Sequence, residues 1–295
     1  MNKSTHSSLS LRARPSESKT SWGKVADWYD NLLEKEARTY QKNLILPNLL
    51  RLLEIKRGET ILDLACGQGF FSRAFKSAGA KVIGVDVSQE LIDLAKKHRT
   101  YSSSDPELVE GESRSLSSRP ASRQGGQART IIDYHIATAE NLSFLKNECI
   151  DKITIILALQ NIENVHGVFK ECNRVLNNGG KLFIVLNHPA FRIPRESSWG
   201  WDEERKIQYR RIDSYLSESR VKIQIHPGER PKDYAWSFHR PLQFYFKMLN
   251  KYGFCISRLE EWNSFKKSEP GPRSQAEDRA RKEIPLFLFI EASRR

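Results

Sequence analysis

No apolar run in this sequence approaches the ~20 residues that a membrane-spanning helix needs, so no span is expected. Cysteine is scarce: Cys66, Cys149, Cys172 and Cys255 are far apart and form no CxxC pair. No zinc knuckle or dithiol redox motif is therefore present, no metal site is expected, and the four thiols read as reduced, as in a cytoplasmic protein. Residues 1–21 are rich in Ser, Lys and Arg but lack the apolar stretch of a secretory signal. They read as a disordered tail, with a mitochondrial transit peptide as the alternative of similar composition. Acid is the scarcer charge: 36 Asp and Glu against 48 Lys and Arg give a formal +12. A basic balance suits nucleic acid, anionic ligands or plain solubility. Some of the excess lies in segments without hydrophobic period, which weakens the nucleic-acid reading.

Against these absences, one stretch carries most of the information. Ile61-Leu-Asp-Leu-Ala-Cys-Gly-Gln-Gly-Phe70 is a β-prone apolar run ending in a glycine loop, and residues 71–78 continue as a helix. Lys81-Val-Ile-Gly-Val-Asp-Val-Ser88 is a second apolar run that ends in an acid, Asp86, about 20 residues past the loop. This is the order of a βαβ unit with a nucleoside site, the glycines admitting a ligand to the backbone and the acid accepting from ribose hydroxyls. The loop reads Gly67-Gln68-Gly69-Phe70-Phe71-Ser72, without the third glycine of a dinucleotide loop. Asp63 stands on the strand before it, where a carboxylate repels a pyrophosphate and attracts a cationic ligand with an ammonium group. S-adenosylmethionine (SAM) has that chemistry.

These residues, with Ala137-Thr-Ala-Glu-Asn-Leu-Ser-Phe144, the apolar run 153–162 and Leu176-Asn-Asn-Gly-Gly-Lys-Leu-Phe-Ile-Val185, resemble the class I SAM-dependent methyltransferases. The resemblance is to the type 11-like small-molecule branch, which includes quinone-biosynthesis C-methyltransferases, and runs over residues 22–292. It implies an α/β fold: a Rossmann-like, doubly wound seven-stranded sheet, mostly parallel with one antiparallel strand, and helices on both faces. It further implies a SAM site in which Ala65, Gly67 and Gly69 form the backbone floor and Asp63 orients the amino acid head. Asp86 would hold the ribose and Val87 flank the adenine. Thr138, Ala139 and Glu140 would come from the loop at the adenine edge, Thr138 standing where relatives often place an acid. Gln160 would lie near the methionine end, as a binding group only. Tyr29, in Val25-Ala-Asp-Trp-Tyr-Asp30, matches an aromatic that covers the methionine end.

At 295 residues the chain suits one large domain, here residues 22–295. Helical spacing marks residues 21–36, 40–53, 89–98 and 165–176, with Ser88 as an N-cap. Strands are expected at 60–65, 81–86, 131–136, 152–159, 181–187, 254–262 and 286–292, with a helix at 241–252 and a partly helical loop at 271–281. Residues 101–129 are rich in Ser, Arg and Gly and read as a disordered insertion without a role in the chemistry. Residues 188–240 are rich in aromatics and read as a substrate cap after strand five, with short strands at 221–226 and 234–238 and a turn at His226-Pro-Gly228.

The acceptor side is less legible. His188, at the end of strand five, and His239, in Trp236-Ser-Phe-His-Arg-Pro241, are the candidate catalytic bases. Arg192, Arg195 and Arg240 are candidate partners for a carboxylate or phosphate. No Asn/Asp-Pro-Pro-Tyr/Phe tetrapeptide follows strand four, which argues against planar amines of nucleic acid or protein as acceptors. The expectation is a cytoplasmic methyltransferase acting on O, N or C of a small molecule, anionic ones included. An RNA- or protein-modifying enzyme and a non-catalytic SAM-binding protein are the alternatives.

Overall fold

In a computed structural model, residues 21–101, 131–225 and 234–295 are described. The N-terminal tail, the insertion and the His226-Pro-Gly228 turn lie outside them, Ser21 and Tyr101 excepted. The strands are β1 (Thr60–Leu64), β2 (Lys81–Asp86), β3 (Asp133–Ile136), β4 (Ile150–Ile156), β5 (Leu176–Asn187), β6 (Ser197–Asp202), β7 (Ile207–Ile212), β8 (Ser219–Gln224), β9 (Tyr234–His239), β10 (Phe254–Trp262) and β11 (Phe287–Arg294). The helices are α1 (Ala26–Lys35), α2 (Leu46–Leu53), α3 (Phe70–Ser77), α4 (Gln89–Tyr101), α5 (Val165–Val175), α6 (Leu242–Lys251) and α7 (Ser274–Glu283).

Seven strands form one sheet in the order β10-β11-β5-β4-β1-β2-β3. Only β11 runs against the others, pairing antiparallel with both β10 and β5. The expected Rossmann-like sheet is therefore present. The order reverses between β1 and β4, so the loops after these neighbouring strands open outward and leave a crevice at their carboxyl ends. Burial on both faces explains the nearly unbroken apolar runs of β4, β5 and β11.

Helix faces follow the spacing of apolar residues. On α5, Val165, Val168, Phe169, Cys172 and Val175 are buried against one side of the sheet. On α2, Leu49, Leu52 and Leu53 are buried on the opposite side, with Phe75 of α3 and Ile92 of α4. The segment expected as one helix over residues 40–53 is a wider π turn, Gln41–Ile45, leading into α2. Pro47 has no N–H to donate to the carbonyl four residues back, and Leu46 N–H bonds five residues back to Gln41.

Between β5 and α6 the chain forms two hairpins, β6–β7 and β8–β9. The first has no counterpart in the sequence reading, because no residue of Ser197–Asp202 or Ile207–Ile212 is buried and no apolar face marks them. Among the described residues no helix is long and apolar enough to cross a membrane.

Candidate cofactor and active site

The crevice begins where β1 ends. Ala65, Gly67 and Gly69 all take left-handed backbone angles, with φ of 56°, 58° and 81°. For Ala65 that conformation costs about 1 kcal/mol, which the surrounding bonds must offset. Cys66 N–H donates to Val85 O (3.0 Å) and Gly69 N–H to Cys66 O (3.0 Å), so the loop is tied to β2 and closed on itself. Asp86 is nearly buried; its two carboxylate oxygens accept from Gly67 N–H and Ser88 N–H, each at 2.9 Å. Burial raises its pKa and these backbone bonds oppose that. Each oxygen retains a lone pair for a further donor. Ser88 Oγ then accepts from Leu91 N–H (3.2 Å) and caps α4.

Asp63 lies deeper, 2% exposed, and joins three elements. It accepts from Ser72 Oγ of α3 at 2.6 Å and from Thr154 Oγ1 of β4 at 2.9 Å. Burial pushes its carboxyl up to about 6, against the pull of those two hydroxyls, and the nearby Asp86 adds to the rise. Ser72 occupies the place of the missing third glycine, so the departure from a dinucleotide loop supplies a donor to Asp63. Sequence reasoning noticed the substitution without assigning it this role.

The phenol of Tyr134, on β3, was missed as well. A Cβ on Gly69 would lie 2.2 Å from its hydroxyl, and one on Gly84 2.5 Å from its ring, so both glycines make room for this side chain. Its hydroxyl is buried and has no partner among the described residues. Only its sequence position, one residue inside a short exposed-edge strand, could have pointed to it.

The leading helix lies over the loop. Tyr29 stands 3.7 Å from where a Gly67 Cβ would be and packs edge-on to Trp22 at 5.6 Å. Burial, then the charges of Asp86 and Asp63, push its phenol up to about 12, while a side-chain bond to Gln41 opposes them. Below Tyr29, Glu34 accepts from Gln68 Nε2 (3.1 Å) and pairs with Arg73, whose Nη1 also donates to Gln68 O (2.8 Å). Asp30 and His98 join α1 to α4 at 2.6 Å. The β8–β9 hairpin leans on the same segment through Val25, Ile225 and Ala235, with Trp22 and Trp28 packed around them.

The remaining expected cofactor residues sit on neighbouring loops of the same sheet edge. Val87 follows Asp86 directly. Ala137 N–H donates to Asp86 O (3.1 Å), which brings Thr138, Ala139 and Glu140 beside β2. Gln160, in the short turn after β4, donates Nε2 to Leu157 O at 2.7 Å, and its Oε1 is buried without a partner among the described residues. The site is thus rich in acceptors: Asp86 with spare lone pairs, Gln160 with an orphan oxygen, and Asp63 buried beside the glycine loop. A cationic ligand with an ammonium group and ribose hydroxyls fits this chemistry, and a pyrophosphate does not.

The two candidate bases are both held by the protein. His188 is buried; Nδ1 accepts from Ala190 N–H (3.2 Å), so Nε2 carries the proton and donates to Glu261 at 2.7 Å. Burial lowers its pKa against the pull of Glu261. His239 donates Nε2–H to Tyr215 O at 2.7 Å. Arg240 anchors β9 to the turn after β4, donating to Ile162 O and Glu163 O, while Arg195 reaches only Lys222 O on the surface.

Comparison with known proteins agrees with this geometry. Residues 62–184 match the family described as "Methyltransferase domain". A ubiquinone biosynthesis O-methyltransferase of Xanthomonas oryzae pv. oryzae is 25% identical over 127 residues, 43% of this chain and 42% of the relative. A protein of the same name from Coxiella burnetii is 30% identical over 153 residues, 51% of this chain and 54% of the relative. The chain spans about half the length of the curated relatives it matches. The crystal structure of an S-adenosylmethionine-dependent methyltransferase from Mesorhizobium loti superposes with a TM-score of 0.60 at 25% identity, over 84% of this chain and 96% of that one. Residues 62–184 are a methyltransferase domain, and the sheet that carries it is that of the class I SAM-dependent methyltransferases.

Proposed function

We propose that the chain binds SAM at the carboxyl edge of β1, β2 and β4 and transfers its methyl group to a small-molecule acceptor under the aromatic segment 188–240. The observation that carries this reading is the Asp86 carboxylate, fixed by the backbone N–H groups of Gly67 and Ser88 at the edge of an open glycine loop. The matched relatives named as O-methyltransferases of a quinone pathway favour a small acceptor.

Bound SAM supplies a methyl carbon already activated by the sulfonium. The chain's task is alignment and exclusion of water. Asp86 holds the ribose, and Val87 with Thr138, Ala139 and Glu140 flanks the adenine. Ala65, Gly67 and Gly69 carry the amino acid portion, with Asp63 beneath as counter-charge. Gln160 Oε1 takes a donor at the methionine end, and Tyr29 closes over it from α1. Of the two histidines, His239 keeps Nδ1 free of any bond to the described residues and takes the proton-accepting role. His188, engaged at both nitrogens, positions the segment after β5. The hairpins β6–β7 and β8–β9 serve as the cap.

Transfer of tritiated methyl from SAM into fractionated cell extract tests the reading. Label in a small-molecule fraction, lost with Asp86→Ala, is expected, together with at least a tenfold weaker SAM affinity of that variant by calorimetry. Label in RNA or protein overturns the small-molecule acceptor. SAM binding without turnover on any fraction leaves a binding protein instead, and absence of SAM binding overturns the whole assignment.

A further inference from the structure

Many arginines among the described residues are paired with an acid. Arg51, Arg73, Arg174, Arg211, Arg273 and Arg294 each meet a carboxylate. Arg192, Arg210 and Arg281 do not, among the described residues, and the three line one pocket of about 250 Å³. They come from different parts of the chain: the segment after β5, strand β7 and helix α7. Tyr40, Phe191 and Trp199 supply aromatic walls.

The guanidiniums keep donors to spare. Arg210 donates Nε–H to Phe191 O and Nη2 to Ser197 Oγ, both at 2.8 Å, and lies 5.1 Å over the Trp199 ring. Arg281 has its Nε buried with no partner among the described residues. Arg192 packs its head 5.7 Å from the centre of Phe287. Arg192 is exposed by total area; desolvation lowers its pKa, Tyr40 opposes the fall and the charge of Arg210 adds to it. Asp278, one turn before Arg281, is already engaged by Ser268 N–H at 2.7 Å. Three converging cations without a counter-charge repel one another, and a buried unpaired donor is costly. Arginine forks match the planar oxygens of a carboxylate or phosphate, and stacked aromatics take a flat ring.

We propose that this pocket binds a small aromatic compound that carries an oxyanion, a carboxylate or a phosphate. Tyr40 directly precedes Gln41, whose side chain pulls down the pKa of the Tyr29 phenol over the glycine loop, so one pocket wall is joined to the donor-site segment through neighbouring residues of the chain. Phe191 in turn packs 4.7 Å from His188. The ligand is therefore placed as the methyl acceptor, or the part of it remote from the methyl; that role rests on the function proposed above, while the binding itself does not.

Calorimetric titration of the full chain at low ionic strength with benzoate, phenyl phosphate and the neutral benzyl alcohol tests the site, and separates carboxylate from phosphate. At least one anion is expected to bind at least tenfold more tightly than benzyl alcohol. Arg281→Gln and Arg192→Gln should each weaken that anion about tenfold or more, while Arg279→Gln, an exposed neighbour outside the pocket, should not. SAM affinity, measured on the same samples, should be equal in all three variants, which also reports that they fold. Anions that bind no better than benzyl alcohol, or equally well to both pocket variants, overturn the proposal. Anion binding without SAM binding overturns the methyltransferase reading and leaves the pocket standing.

Discussion

At the scale of single residues, the two acids of the crevice answer to different forces. Asp86 is held by backbone donors, whereas Asp63 is held by two hydroxyls in a dry setting that lifts its carboxyl to about 6. A folded pKa above the unfolded value means that the folded state takes up the proton more readily. The contribution of Asp63 to stability is thus fully present below about 4 and lost as pH rises through about 6. Ligand affinity runs the other way, because a cationic ligand needs the carboxylate. SAM affinity measured by calorimetry is expected to weaken as pH falls from 7 to 5, and Asp63→Asn should flatten that profile; an unchanged profile would contradict the role. The glycines divide similarly. Gly84→Ala puts a methyl 2.5 Å from the Tyr134 ring and should cost about 1–3 kcal/mol in urea unfolding, relieved by shortening Tyr134. Gly67→Ala meets nothing closer than 3.7 Å, so its cost is the left-handed backbone alone, about 1 kcal/mol.

Among elements, the attachment of α1 to the glycine loop decides how the crevice closes. Glu34, Gln68 and Arg73 form a small polar clasp, and a partly exposed ion pair of this kind contributes about 1 kcal/mol or less. Glu34→Ala is expected to weaken SAM about threefold to tenfold, mainly through faster release in stopped-flow, with little change in the thermal midpoint. A large loss of midpoint would show that the clasp holds the fold instead. This clasp was not legible in the sequence, because it joins residues 34, 68 and 73, whose meeting depends on where α1 lands. By contrast, β1, β2 and α5 were legible nearly to the residue, since each is an apolar run or a strongly periodic helix bounded by glycine, asparagine or serine. The β6–β7 hairpin was missed, as none of its strand residues is buried and no apolar face marks it. The partly helical loop expected at 271–281 carries helix α7 from Ser274 to Glu283, whose Arg281 lines the arginine pocket.

For the molecule as a whole, stability is unevenly spread. Two extensive clusters fill the faces of the sheet, while α1 and the β8–β9 hairpin meet through a small third cluster around Val25, Ile225 and Ala235. Regions with little buried apolar surface open most readily. Hydrogen exchange is expected to be fastest by orders of magnitude in α1 and β8–β9 relative to β4 and β5, and SAM should slow it there first; equal protection with and without SAM would contradict a roof that closes on the ligand. The sequence by itself determined the sheet, the glycine loop and the acid after β2, because apolar periodicity, left-handed turns and a carboxylate at a strand end are local properties. Only the tertiary structure decided that Ser72 serves Asp63, that both candidate histidines are held by partners, and that Arg192, Arg210 and Arg281 share one pocket. Those are meetings of side chains from distant segments, set by packing, and no local pattern encodes them.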